Sequence, residues 1–372
     1  MRAATITRNP KEALQSRGFT LIELMIAMVL GLVVIAAIGS LFLSSSRSFR
    51  EDEQVSRTQD DLRFALAQIS QDAEMAGFWS PLFNPSLINL DDSLLALDPG
   101  DDCGPPTAAP GPAALWSFGA LNPPIAYLDN ATAAQANAAF PCIDPAEFQP
   151  DTDVIAIKRL AATVANTVQG EADNRDGLEE DLVYLQTNNL TGMLYVQAGG
   201  GATNPPAASV MPAPVAGSTI TYTYWEYTPV IYYVRNYART AGDGIPALCR
   251  KILVSSPGTL RFQGDPNGCL VSGIEDLQIE YGIDQRNRVG VMNVSDGAPE
   301  YYVTNPTAAQ WPWISAVKIH VIARSTEPGR GYQNLKTLVV SNSALGTPDD
   351  RFYRRTATTV VLMRNFIDQR LQ

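Results

Sequence analysis

The chain has little of what most catalytic chemistry needs. Of its 372 residues only one is histidine, His320, and four are cysteine, with no C-x-x-C among them. Zinc centres draw on several such ligands at short spacings, so a site built on histidine and sulfur has no basis here. A Ser-His-Asp relay could use only His320, which lies mid-strand beside Lys318 and reads as a half-exposed surface residue. No G-x-S-x-G, Walker loop, H-E-x-x-H or G-x-G-x-x-G stands in a supporting context, and Gly199-Gly200-Gly201 reads as a flexible loop. The chain is therefore not read as an enzyme, and no cofactor or metal is expected. Charge is scarce, at 17% of residues, and one-sided, with a net of −11. An acidic surface repels phosphate, which argues against nucleic acid as a direct partner. Arg351, Arg354 and Arg355 form a local basic run, read as strand-face charges. The acidic spots Asp91-Asp92 and Asp101-Asp102, with Asn293, Asp296 and Glu300, lack EF-hand spacing and read as solvated loops rather than a calcium site.

Two further absences are more informative. No charge occurs from Leu24 to Leu43, and no proline between Lys11 and Pro81. Twenty uncharged residues at about 1.5 Å each span roughly 30 Å, the thickness of a bilayer's hydrocarbon core. The flank before them holds Arg2, Arg8, Lys11 and Arg17 against Glu12 alone, which keeps that end cytoplasmic and sends the rest across. Past Leu43 the composition turns polar, yet Val55, Leu62, Leu66, Ile69 and Ala73 recur on one helical stripe. Gly77 offers a C-cap and Pro81 a stop. One helix from Phe19 to about Ala76 is expected, its first half in an apolar medium and its second laid on a sheet. A break near Ser44-Ser45-Ser46 is the alternative.

The remainder reads as β-rich, giving an α+β fold: a long N-terminal helix packed on an antiparallel β-sheet ectodomain with large loop insertions. Strand-like runs are 153–159, 181–186, 219–227, 229–235, 249–254, 274–283, 314–324, 335–341 and 354–363. In the clearest, Val317, Ile319, Val321 and Ala323 alternate with Lys318, His320 and Arg324. Residues 98–150 and 199–217, crowded with Pro, Ala, Asp and Gly, lack periodicity and read as loops or insertions. All four cysteines follow the helix. Of the three pairings they allow, the sequence-local one, Cys103–Cys142 and Cys249–Cys269, is the most economical.

The order of residues 17–24 is Arg, Gly, Phe, Thr, Leu, Ile, Glu, Leu, and it runs into the apolar stretch with the small residue before that stretch rather than after it. This closely resembles the class III signal of type IV prepilins and type II secretion pseudopilins. The resemblance implies cleavage between Gly18 and Phe19 by a prepilin peptidase and N-methylation of Phe19. Residues 1–18 are then a leader, 19–43 the transmembrane or filament-core half of the helix, 44–76 its amphipathic half and 77–372 the ectodomain. Loss of the leader removes four Lys/Arg and one acid, moving the net charge from −11 to −14. Glu23, an acid in an apolar helix, is costly and marks function. The amine freed on Phe19 of a neighbouring subunit is its natural partner, setting subunit register.

Segments 61–78 (DLRFALAQISQDAEMAGF), 248–251 (LCRK), 269–284 (CLVSGIEDLQIEYGID), 317–325 (VKIHVIARS) and 353–365 (YRRTATTVVLMRN) resemble the PilW-type minor pilins of Gram-negative bacteria and, more distantly, J-type minor pseudopilins. That family often has Asp-x-Arg before the helix end; here Asp72 is followed by Ala73 and Glu74, so the arginine is missing. The likeness implies a structural subunit of an assembly-priming or tip complex. Its expected partners are other minor pilins, the major pilin, a PilY-type tip adhesin and the inner-membrane assembly platform. The alternative is a minor pseudopilin of type II secretion.

Overall fold

The computed structural model describes residues 18–80, 82, 84–96, 102–104, 113, 115–119, 121–169, 177–197, 221–256, 259–265, 268–285, 297–343 and 345–365. Segment 199–217, read as an insertion, lies outside these residues. Two compact units divide the chain, Met1–Glu53 and Gln54–Gln372. Helix α1 covers Leu21–Glu74, 54 residues, and runs through Ser44-Ser45-Ser46 without a break. Serines lower helix propensity by only tenths of a kcal/mol each, and from Ser40 to Glu74 the helix contains neither glycine nor proline, the true breakers.

In the second unit the strands are β1 (Ile88–Leu90), β2 (Ile125–Ala131), β3 (Thr152–Ile157), β4 (Asn166–Gln169), β5 (Val183–Thr187), β6 (Gly192–Val196), β7 (Thr221–Glu226) and β8 (Val230–Arg235). They continue with β9 (Ala247–Ser256), β10 (Thr259–Gly264), β11 (Val271–Ser272), β12 (Ile274–Ile283), β13 (Tyr301–Val303), β14 (Ile314–Arg324) and β15 (Arg354–Leu362). Three sheets result, ordered β1-β6-β5-β7-β4, β10-β9-β8-β3-β2 and β13-β12-β14-β15, with β11 added on β9. Among the described residues only β1 and β6 pair in parallel, and every other ladder is antiparallel.

The main core gathers Leu62, Ala65, Ile69 and Ala73 of α1 onto Ile155, Ile157 and Tyr232 of the middle sheet and onto Leu277, Ile279, Val317, Ile319 and Val321 of the β12–β15 sheet. The alternation along β14 thus points its odd-numbered residues at the helix. Leu66 of the expected stripe is only partly buried, and Ala65 takes the central place instead. Burial of a leucine or isoleucine contributes about 2–3 kcal/mol, so this short face holds the helix firmly.

Two expectations fail. Residues 335–341 form no strand, only an isolated bridge between Leu338 and Gly346; Leu335 and Val339 face solvent while Val340 is buried, so the run's apolar residues do not share one sheet face. Segment 98–150 is not all loop: it contains β2, a helix α2 (Ala133–Ala139) and the fully buried Phe118, Phe140, Ile143 and Phe148. Helix α2 starts at a reciprocal cap in which Thr132 and Gln135 satisfy each other's backbone amides. The disulfide Cys103–Cys142 ties the segment's two ends, and Cys249–Cys269 links β9 to the turn before β11. Loops of 39 and 20 residues closed this way are each stabilised by about 3–4 kcal/mol in chain-entropy accounts.

Candidate functional site

In the first unit Gly18, Phe19 and Thr20 precede the helix in non-helical conformation. Thr20 is its N-cap. The amide of Glu23 donates to Thr20 Oγ1 at 3.3 Å, while Glu23 Oε2 accepts from the amide and hydroxyl of Thr20 at 2.8 and 2.9 Å. This is the reciprocal arrangement S/T-x-x-E, and it gives Glu23 a task within its own chain. The pattern stands in the sequence as Thr20-Leu21-Ile22-Glu23, the spacing of a helix-opening cap. Phe19 is 87% exposed, and a side chain at Gly18 would meet no atom within 4 Å. From Leu21 to Leu43 the apolar side chains stand free of any contact that would bury them. By length and composition the helix can cross a membrane.

In the second unit the end of α1 is anchored by polar contacts. Asp72, 5% exposed, accepts from Arg159 Nε and Nη2 at 2.8 and 2.6 Å, and from the hydroxyl of Tyr232. Burial, reinforced by the Asp72 carboxylate, pushes the Tyr232 phenol far above its usual range. The cation missing after Asp72 in the sequence is thus supplied from the residues just past β3, a replacement that local spacing could not reveal. Gly77 takes a left-handed backbone (φ 72°), and its amide donates to the carbonyl of Lys158 at 3.0 Å. Asn365 donates to the carbonyls of Glu74 and Ala76, both at 3.3 Å, capping the last turn from the far end of the sequence.

Other singled-out residues sit elsewhere. His320 is 7% exposed, not half-exposed: Nδ1 lies 2.8 Å from Thr358 Oγ1 and Nε2 3.2 Å from Glu280 Oε2. Glu280 also accepts from Lys318 and from Ser341. The strand 335–341 that failed to form is the segment that covers this face. Asp102 is no solvated loop acid: it is 4% exposed and accepts from the amides of Trp116 and Ser117. Asp91 makes a local turn with the amide of Ser93, while Asp101, Asn293 and Asp296 lie outside the described residues. Arg354 is buried between Glu275 and Asp350, whereas Arg351 and Arg355 are exposed. Among the described residues no group of His, Cys, Asp and Glu is arranged to hold a metal ion.

A second cationic residue is deeply placed. Lys158 is 1% exposed with Nζ 4.5 Å from the Trp116 ring centroid. Burial draws its ammonium down to about 7, against the opposing pull of Asp102.

Residues 231–365, from β8 to Asn365, match the family described as Type IV Pilus-assembly protein W. Residues 14–39 match the prokaryotic N-terminal methylation motif. A pilin-like protein, PilA3, of Thermus thermophilus is 36% identical over 66 residues, which are 17% of this chain and 28% of that protein. A solved type IV-like pilin from Thermus thermophilus aligns over 83% of this chain and 97% of its own, at 12% identity and a TM-score of 0.32.

Proposed function

We propose that this PilW-type, pilin-like chain acts as a minor pilin of a type IV pilus, a low-copy subunit of the complex that primes assembly and occupies the tip. The observation that carries the reading is the joining, in one chain, of a methylation motif on an uncovered apolar helix with a PilW-type segment. In this reading a prepilin peptidase cuts between Gly18 and Phe19 and methylates Phe19. Before assembly the chain is a single-pass protein of a Gram-negative inner membrane, its N-terminus cytoplasmic and its ectodomain periplasmic. There it meets the assembly platform, other minor pilins, the major pilin and a PilY-type adhesin. The fibre it helps start then serves adhesion, twitching motility or DNA uptake. Glu23 pairs with the amine of a neighbouring Phe19, leaving its own cap to do so.

Gly18→Val tests the processing step. Because a side chain at this position meets nothing within the chain, any failure arises with the peptidase and not from misfolding. Mass spectrometry is expected to find an uncleaved, membrane-held precursor; a normal N-terminus at Phe19 refutes the site. A strain lacking the gene is expected to lose surface pili and keep secreted hydrolases. The opposite pattern assigns the chain to type II secretion.

A further inference from the structure

Strand β15 ends the sheet order β13-β12-β14-β15, and among the described residues nothing pairs with its outer edge. Its ladder with β14 runs from Arg324↔Arg354 to Ala316↔Leu362 with no register shift. The amide of Met363 donates to the carbonyl of Ser315, and that of Ser325 to the carbonyl of Tyr353. Alternation along the strand therefore turns the odd-numbered amides and carbonyls toward β14 and those of Thr356, Thr358, Val360 and Leu362 outward. These four residues are also exposed. Natural edges are usually blunted by lysine, proline, a bulge or a covering element. Between Arg354 and Met363 there is no lysine, proline or glycine. The edge is straight, and among the described residues its outward peptide groups have no pairing strand.

Charge at its ends narrows what can pair there. Arg351 and Arg355 flank one end and Arg364 the other, all exposed, on a chain whose net charge is −11. Antiparallel self-pairing centred on Thr358 would set Arg351 beside Asn365 and Arg364 of the second copy, a like-charge contact. A second copy is therefore a poor occupant.

We propose that the outer edge of β15 is a strand-addition site for a partner segment that is extended, alternates β-branched or apolar residues, and carries acidic residues at its ends. Backbone hydrogen bonds to Thr356, Thr358, Val360 and Leu362 supply affinity, and the arginines set direction and choice of partner. The site goes beyond the pilin reading and does not depend on it.

The test uses the full chain in detergent micelles and a synthetic peptide of alternating threonine and valine with two aspartates at each end. In the free chain the four outward amides exchange with solvent rapidly, and the peptide slows them about tenfold or more. A lysine-ended peptide gives little protection. Arg355→Glu with Arg364→Glu reverses that preference while leaving the β14 ladder intact. Thr356→Pro removes an outward amide without touching an inner one and abolishes protection by either peptide. Slow exchange in the free chain, protection that rises with protein concentration and needs no peptide, or equal response to both peptides overturns the proposal.

Discussion

Asp72 and Arg159 couple the last turn of α1 to the end of β3, and their unequal exposure fixes what each substitution should do. The Asp72 side chain is 7% exposed and that of Arg159 is 19% exposed. In Arg159→Met the carboxylate keeps only the Tyr232 hydroxyl as a side-chain donor and stays in the interior. Breaking a fully buried pair in this way costs about 3–5 kcal/mol; the partial access of water here sets the expectation below that range, at about 2–3 kcal/mol. Asp72→Asn instead keeps an acceptor for Tyr232. It also leaves Arg159 with the carbonyl of Leu160 at 3.1 Å and a path to solvent. Its cost should be about 1 kcal/mol. The double variant should fall short of the sum by about 1 kcal/mol, since the second change removes the charge that the first left stranded. Guanidinium unfolding of the full chain in micelles, followed through the buried Trp79 and Trp116, gives all three values. If Arg159→Met costs no more than Asp72→Asn, or if the two add without coupling, the pair does not anchor the helix.

Three other outcomes are expected. Ile69→Ala, at a fully buried site, should cost about 3–4 kcal/mol, whereas Leu66→Ala, only partly buried, should cost about half as much; equal losses would contradict the packing described. Glu23→Gln keeps an acceptor for the Thr20 cap but loses the charge, so protein level should hold while incorporation into pili falls; normal piliation with this variant as the sole copy would mean that capping is the residue's whole task. Folded Lys158 gives up its proton near 7 and the unfolded chain near 10.5. Across that interval the unfolded state binds more protons, so this residue makes stability rise with pH, and Lys158→Met should flatten that rise in stability when unfolding is measured from pH 7 to pH 10.

In the β12–β15 sheet, β12 and β14 coincide with the runs 274–283 and 314–324, because their β-branched and other apolar residues recur at every second position even though both faces of each strand are largely covered. The helix was legible for the complementary reason: an uncharged run followed by a stripe at helical spacing. What could not be read was segment 98–150. Its anchors, Phe118, Phe140, Ile143 and Phe148, are single large side chains among proline and alanine, so packing there depends on a disulfide and tertiary contacts that leave no period. The run 335–341 fails the other way: it is rich in apolar and β-branched residues, yet Leu335 and Val339 face solvent and Ser341 meets the Glu280 side chain. At the N-terminus the motif residues stand in contiguous order, and the same four residues, 20–23, carry the spacing of the Thr20–Glu23 cap. The sequence around Asp72 shows only the lack of a nearby basic residue, since Arg159 lies 87 positions away.

Asn365 closes on the carbonyls of Glu74 and Ala76 across sequence separations of 291 and 289. A chain is made from its N-terminus onward, so α1 exists long before the strands that cover it. Until β12, β14 and β15 have been synthesised, Leu62, Ile69 and Ala73 have half of their bed missing, and the helix's final carbonyls lack their late donor. Completion of the core is thus timed by the last strand and not by the first helix. A nascent chain stalled before residue 354 would present a finished helix with an unfinished sheet, the state most open to proteolysis and to mistaken association.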